Sequence, residues 1–414
     1  MCNGSGRVYG YLCGMIKQRN QPIATLLALA ILPLSGFAAD IYLPSLPGMT
    51  GALHVGSLQI QLTITVFLIS YGVSQLFIGS ILDSFGRYRF SLISLLVFAA
   101  ASFVIATTHN ISLIYAMRIV HGVSIAFIIA GKRAFFVDLY TGEKLKNYLS
   151  LFSIIWSAGP IVAPFVGGYL QANFGWEANF YALGIVALGF AALEFIFSGE
   201  TLSKPMSFEL KRVVGVYAEM LGTGSFVLGI VMMGLAYAMV MVYNMTGPFI
   251  IEHHLQFSAV TAGYCSLIQG FAWMVGGFIS KAMIDRPFFR KLAISKSLQL
   301  LVAVLMVFAF RFVDNLWSLV FFAFLIHVGA GYTFNNYMTL SMTRFPRNAG
   351  IASGLIGGFV YIIVSTASSG IVSVLPARDA GHLGYSYLIL IGLTLTMLGL
   401  AFRTEAGNRK IAVS

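Results

Sequence analysis

Twelve apolar runs, each about 20 residues or longer, recur from one end of this 414-residue chain to the other. A bilayer core about 30 Å thick is crossed by about 20 helical residues rising 1.5 Å each, so every run is long enough to span a membrane. The runs occupy approximately 22–47, 58–82, 89–107, 111–138, 147–171, 176–197, 222–249, 258–284, 291–312, 316–342, 348–375 and 383–403, numbered here as spans 1 to 12. A soluble chain carries about a quarter of its residues charged. Here 9% are charged and 58% hydrophobic, too little polarity to cover a water-facing surface. The runs lack the ten-residue alternation of an outer-membrane barrel, so the expected fold is all-α and polytopic, with twelve transmembrane helices in two six-helix bundles. The 43 glycines suit close helix packing in lipid.

Charge fixes an expected orientation. Placing the N-terminus in the cytoplasm puts 22 of the 25 Lys and Arg on that side, leaving Arg311 and Arg378 outside and Arg118 within a span. Both termini are then cytoplasmic. The net charge of +11 faces anionic lipid, and no nucleic-acid partner is needed to explain it. Cys2, Cys13 and Cys265 form no paired spacing, so neither a disulfide nor a metal site is expected. The first 21 residues lack the continuous apolar stretch of a cleaved signal peptide.

A polar interruption, "SGETLSKPMSFELKRVVGVYAEM" at 198–220, separates six spans from six. The expected organisation is a cytoplasmic segment 1–21, a bundle 22–197, a linker 198–221 with a short amphipathic surface helix, a bundle 222–403 and a tail 404–414. Such a pattern is that of transporters binding substrate near the midplane. "GSILDSFGRYRF" after span 2 has a loose echo in "GGFISKAMIDRPFFRK" after span 8.

The first of those stretches, with Gly79, Asp83, Gly86, Arg87 and Arg89, resembles the loop signature of the major facilitator superfamily, although Ser84 and Tyr88 stand where bases are common. Span 4 is similar to that family's Arg-x-x-Gln-Gly element through Arg118 and Gly122, with His121 in place of Gln. Span 5, "SAGPIVAPFVGGYL", resembles the antiporter motif through Gly159, Pro160, Pro164, Gly167 and Gly168. "ADIYLPSLPGM", "GPFIIEHHLQFSAVTAGY" and "FPRNAGIASGLIGG" narrow the resemblance to the Bcr/CflA-like drug-resistance subfamily. It implies a proton-coupled exporter of the bacterial inner membrane, with Asp40 as a protonation site. It also implies a cytoplasmic latch of the outward-facing state: Asp83 near Asn348 to Gly350 at the start of span 11, Arg133 flanking it, and Arg87 reaching Asp138.

Ionisable groups inside a membrane are costly and are functional candidates by default. Asp40 is the one acid read as lying well inside a span, either to carry a proton or to cap the unwound end of its helix. Arg118 is at a depth to face it, and substrate and proton could compete for that acid. His121 is a packing histidine or a proton relay. Lys132 either faces the cavity, favouring anions, or snorkels to the cytoplasmic surface. Trp156, Tyr237, Tyr243, Asn244, Gln269, Trp273, Asn335, Asn336 and Tyr361 supply aromatic and amide groups for a drug-sized pocket, or for helix–helix hydrogen bonds.

No phosphate-cradling Gly-x-x-x-x-Gly-Lys-Ser/Thr sequence occurs, so a proton gradient is the expected energy source, without a cofactor. An enzyme is not expected, although His121, His327 and Asp40 could be assembled into one on paper. The expected partners are a small amphipathic substrate, protons and lipid, with the chain a monomer. One alternative keeps the fold but carries an anionic metabolite such as a carboxylate siderophore, through Arg118 and Lys132; another is a channel or transceptor.

Overall fold

Proline breaks the first span into pieces. Lacking an N–H and clashing with the preceding turn, it interrupts a helix interior. Span 1, Gln18–Leu53, accordingly runs as helices Gln21–Ala30 and Leu34–Asp40, a short 3₁₀ turn Leu43–Ser45 and helix Leu46–Leu53, with Pro33, Pro44 and Pro47 at the junctions. The computed structural model describes residues 15–16, 18–202, 210–345, 349–376 and 379–411. Among these, twelve helical segments are long and apolar enough to cross a membrane.

The chain divides into two compact units, Met1–Val214 and Gly215–Ser414. In unit 1, span 1 is followed by Ser57–Phe85, Tyr88–Thr107, Ile111–Leu139, Gly142–Phe174 and Glu177–Phe197 (spans 2–6). In unit 2 the spans are Gly224–His254, Ala259–Ala282, Phe288–Ala309, Leu316–Arg344, Ile351–Val374 and Ala380–Phe402 (spans 7–12). Span 7 ends in a π-helical turn, Ile250–His254, just after Pro248. An amphipathic helix, Leu210–Leu221, precedes span 7.

Each unit packs its helices by the same plan. Span 2 lies along span 4, span 3 along spans 4 and 6, and span 1 along span 5. In unit 2, span 8 lies along span 10, span 9 along spans 10 and 12, and span 7 along span 11. Glycine permits the closest of these approaches. A Cβ at Gly122 in span 4 would strike the Phe67 carbonyl and the Tyr71 amide of span 2, and one at Gly331 in span 10 would strike the Trp273 carbonyl of span 8. The span 5 motif does the same against span 1: Gly159 meets the Pro33 carbonyl, Pro160 meets Gly36, and Gly167 meets the Ile41 carbonyl. Pro160 and Pro164 both lie inside the span 5 helix, and Gly168 is buried.

Candidate functional site

Asp40 is the last residue of its seven-residue helix and is 2% exposed. Beside it, within electrostatic reach, lies Arg118, whose side chain is fully buried. A guanidinium in lipid needs every donor answered. Nη1 donates to the Ala38 carbonyl at 2.8 Å and Nε to the Thr63 carbonyl at 3.4 Å. Its faces are covered by Phe67 and Tyr42, with ring centroids 4.3 and 4.7 Å away, and cation–π attraction offsets part of the desolvation. Nη2 has no hydrogen-bond partner. Arg118 is thus anchored by spans 1 and 2 beside Asp40.

His121 packs one turn along. Its ring stacks on Phe98 at 4.2 Å, Nε2 lies 3.0 Å from Ser102 Oγ, and Nδ1 lies 3.4 Å from Arg118 Nη1. Arg118 can only donate, so Nδ1 is the acceptor and Nε2 carries the proton toward Ser102. Both nitrogens are engaged in these contacts, which tie the ring to Ser102 and Arg118.

The end of unit 1 that carries the turn between spans 2 and 3 holds a second polar cluster. Arg87 Nη2 pairs with Asp83 Oδ1 at 2.8 Å, and Nη1 pairs with Asp138 and donates to the Ala134 carbonyl at 2.9 Å. Thr201 Oγ1 donates to Asp138 Oδ2 at 2.8 Å. Glu200, not singled out from the sequence, caps the start of span 3: its carboxylate accepts the Arg87 and Tyr88 backbone N–H groups at 3.0 and 3.1 Å. A Cβ at Gly86, where φ is +98°, would stand 2.7 Å from Glu200 Oε2, so glycine both allows the turn and admits the carboxylate. Gly79 has open space around its Cα. Arg133 is exposed and lies near Tyr71. The expected partner of Asp83 at the start of span 11 includes Asn348, which lies outside the described residues.

Lys132 does not reach the surface. Its ammonium meets Glu194 of span 6 in an ion pair buried among spans 3, 4 and 6, which corrects both sequence expectations for it. Glu194 was missed because it stands near the end of its apolar run, where a charge is as easily read as facing the headgroups. Lys296, counted with the loop charges, is also buried; its Nζ donates to Gln299 Oε1 at 2.7 Å inside span 9.

In unit 2 the aromatic candidates converge. Tyr237 of span 7 lies 5.5 Å from Trp273 of span 8 and 6.1 Å from Tyr361 of span 11. Phe334 of span 10 completes the group, 5.2 Å from Trp273; with 35 phenylalanines in the chain, no sequence signal marked it. All four rings are partly exposed. The amides divide differently. Asn335 and Asn336 donate to their own helix, at Gly331 and Tyr332, while Gln269 donates across to the Val320 carbonyl. Tyr243 is fully buried and Asn244 half-buried, and the side chain of Trp156 lies outside the described residues.

Comparison with known proteins agrees with this architecture. A D-xylose-proton symporter structure superposes with a TM-score of 0.67 at 16% identity, covering 91% of this chain and 96% of that one. A bacterial homologue of the human lysosomal transporter Spinster gives 0.70 at 12% identity, covering 94% and 98%. Multidrug resistance protein D of Escherichia coli (strain K12) is 26% identical over 396 residues, covering 95% of this chain and 99% of its own length. The bicyclomycin resistance protein homolog of Haemophilus influenzae is 33% identical over 190 residues, covering 46% of this chain and 48% of its own. Residues 28–369 match the family model itself, and the chain belongs to the Major Facilitator Superfamily.

Proposed function

We propose that this protein is a proton-coupled secondary transporter of the bacterial inner membrane, both termini cytoplasmic, that exports small amphipathic compounds. The observation that carries the reading is Asp40: a carboxyl group 2% exposed, at a break in span 1, beside an arginine fixed by backbone carbonyls. A carboxyl so placed can exchange a proton for contact with substrate, and Arg118 supplies a fixed positive charge against which that exchange occurs. The relatives named for multidrug and bicyclomycin resistance, and a chloramphenicol resistance protein of Pseudomonas aeruginosa 28% identical over 184 residues, support drug-like substrates. The rings of Tyr237, Trp273, Phe334 and Tyr361 offer a face for the apolar part of such a compound. Arg87, Asp83 and Asp138 act as a conformational latch at the cytoplasmic end of unit 1. The anionic-metabolite alternative drew on Lys132, and the Glu194 carboxylate now answers that charge.

The test is a substrate-panel flux assay in proteoliposomes under an imposed pH gradient. Asp40→Asn is expected to bind the compounds that the parent moves while losing gradient-driven accumulation tenfold or more. Accumulation at the parental level by this variant removes Asp40 from proton coupling, and a parent that moves no compound removes the transporter reading.

A further inference from the structure

The end of unit 2 that carries the turns after spans 7, 9 and 11 holds charge where little is expected. Arg311, between spans 9 and 10, is one of two among the 25 Lys and Arg that the orientation proposed above leaves on the outer side, against the bias that keeps such residues in the cytoplasm. It is exposed, and among the described residues its guanidinium makes no ion pair. The backbone around it turns tightly. The Arg311 N–H donates to the Phe308 carbonyl at 3.2 Å and the Val313 N–H to the Ala309 carbonyl at 2.8 Å, and Asn315 caps span 10 by accepting from the Ser318 N–H at 2.9 Å.

Arg311 lines a cavity of about 230 Å³ together with His254, Phe310, Asp314, Asp379 and Tyr385. The π-helical turn of span 7 brings in His254, whose Nε2 lies 2.5 Å from Asp314 Oδ2. Asp379 takes bonds from His382 and the Gly381 backbone. An ionised carboxylate offers about four lone pairs, so both acids keep acceptor capacity for a ligand. One permanent cation and two carboxylates therefore surround a single space.

The depth of that space is marked by its neighbours. Phe312 and Trp317, on either side of Asp314 in the chain, are 84% and 79% exposed. Aromatic side chains so exposed at the end of a membrane span belong to the interface, level with the headgroups. The cavity is also smaller than the roughly 300–1,000 Å³ of sites that enclose drug-sized ligands. A ligand that matches it carries an anion for Arg311 and, a short tether away, a cation able to donate hydrogen bonds to the two acids. The planar guanidinium fork suits a phosphate, and a primary ammonium brings three donors. A quaternary ammonium has no such donor, and a glycerol headgroup brings no cation to the carboxylates.

We propose that this cavity binds the headgroup of a membrane phospholipid of the phosphoethanolamine type, with the phosphate on Arg311 and the ammonium between Asp314 and Asp379. No covalent bond changes. The site is separate from Asp40 and Arg118, and it requires the chain to lie in a bilayer, not to move any compound.

The test reads Trp317 fluorescence of full-length protein in phosphatidylcholine vesicles in which a fixed fraction of the lipid has brominated chains on an ethanolamine, choline or glycerol headgroup. Bromine quenches a tryptophan that it touches, and Trp317→Phe supplies the signal of the remaining tryptophans. Brominated phosphatidylethanolamine is expected to associate roughly tenfold more strongly than the other two, the difference made by a charge-assisted hydrogen bond. Arg311→Gln and Asp314→Asn are each expected to bring the three lipids to within about twofold while keeping the parental melting temperature, because both side chains are exposed. Equal quenching by all three lipids in the parent overturns the proposal. So does a preference for the glycerol lipid, which marks a plain anion site at Arg311, and so does an ethanolamine preference that survives in both variants, which places the headgroup elsewhere. Soluble phosphoethanolamine is expected to leave the quenching unchanged; displacement of the lipid by it overturns the membrane source. None of these readings uses transport, so they stand or fall apart from the flux test of export.

Discussion

Lys132 Nζ lies 2.6 Å from Glu194 Oε2, with the two side chains 5% and 1% exposed. Removing two charges from water costs about as much as their attraction returns, whereas stranding one of them is expensive. Glu194→Leu alone is expected to destabilise unit 1 by about 3–5 kcal/mol. Lys132→Met with Glu194→Leu should recover most of that loss or exceed the parent. Melting temperatures in one detergent check both, and a double variant no better than the single would show that the pair is not a closed unit.

Glu200 receives backbone N–H groups from both sides of a chain crossing: Arg87 and Tyr88 at the start of span 3, and Thr201 and Leu202 just after itself. Charged acceptors at a helix N-terminus are worth about 1–2 kcal/mol. Glu200→Ala should therefore raise amide exchange at Tyr88 and Thr201 by about one order of magnitude, read by hydrogen–deuterium exchange, while exchange in span 5 stays as in the parent.

Gly167 and Gly79 belong to two motifs and meet opposite surroundings. A methyl at Gly167 collides with the Ile41 carbonyl, so Gly167→Ala is expected to cost about 1–3 kcal/mol and loosen span 5 from span 1. At Gly79 nothing lies within 4 Å, and Gly79→Ala should be neutral or stabilising by up to about 1 kcal/mol through helix propensity. Thermal melts of the two variants rank them.

Asp379 caps span 12, its Oδ1 accepting from the His382 backbone at 2.9 Å and from His382 Nδ1 at 2.8 Å. Partial burial pushes its carboxyl upward, but these His382 bonds outweigh that and hold it below the ordinary carboxylate value. A depressed carboxyl stabilises the fold above the unfolded value of about 3.9, and that contribution fades as pH falls through the lower folded value. Asp379→Ala should cost about 1 kcal/mol near pH 7, and the gap from the parent should close below about pH 4. Melts at the two pH values decide it.

How far the sequence reaches is clearest in the charged residues. Arg118 stands out in span 4 because charge inside a long apolar run is rare, and its burial follows from its depth. Depth along a helix can be counted from the sequence, but direction around it cannot. Lys132 and Lys296 sit about as far from a helix end as a snorkelling lysine would, yet both are buried: Lys132 meets Glu194 of span 6, and Lys296 meets Gln299 one turn along its own helix. The six-and-six plan is a periodic signal and was legible; of the breaks in span 1 only the unwound end near Asp40 was read, and the break at Pro33 was not. The grouping of Tyr237, Trp273, Phe334 and Tyr361 depends on which face of four separate helices points where, and no local pattern records it.

The Lys132–Glu194 pair also constrains how the chain enters the bilayer. A lone lysine at depth raises the cost of insertion by about 2.5–3.5 kcal/mol at worst, and span 4 bears that cost for Arg118 as well. The carboxylate that answers Lys132 is 62 residues further along, which at 5–20 residues per second is roughly 3–12 s of synthesis. For that interval span 4 is poorly matched to lipid. It should linger beside the insertion machinery until span 6 emerges, so that spans 4 to 6 leave for the membrane together rather than one by one.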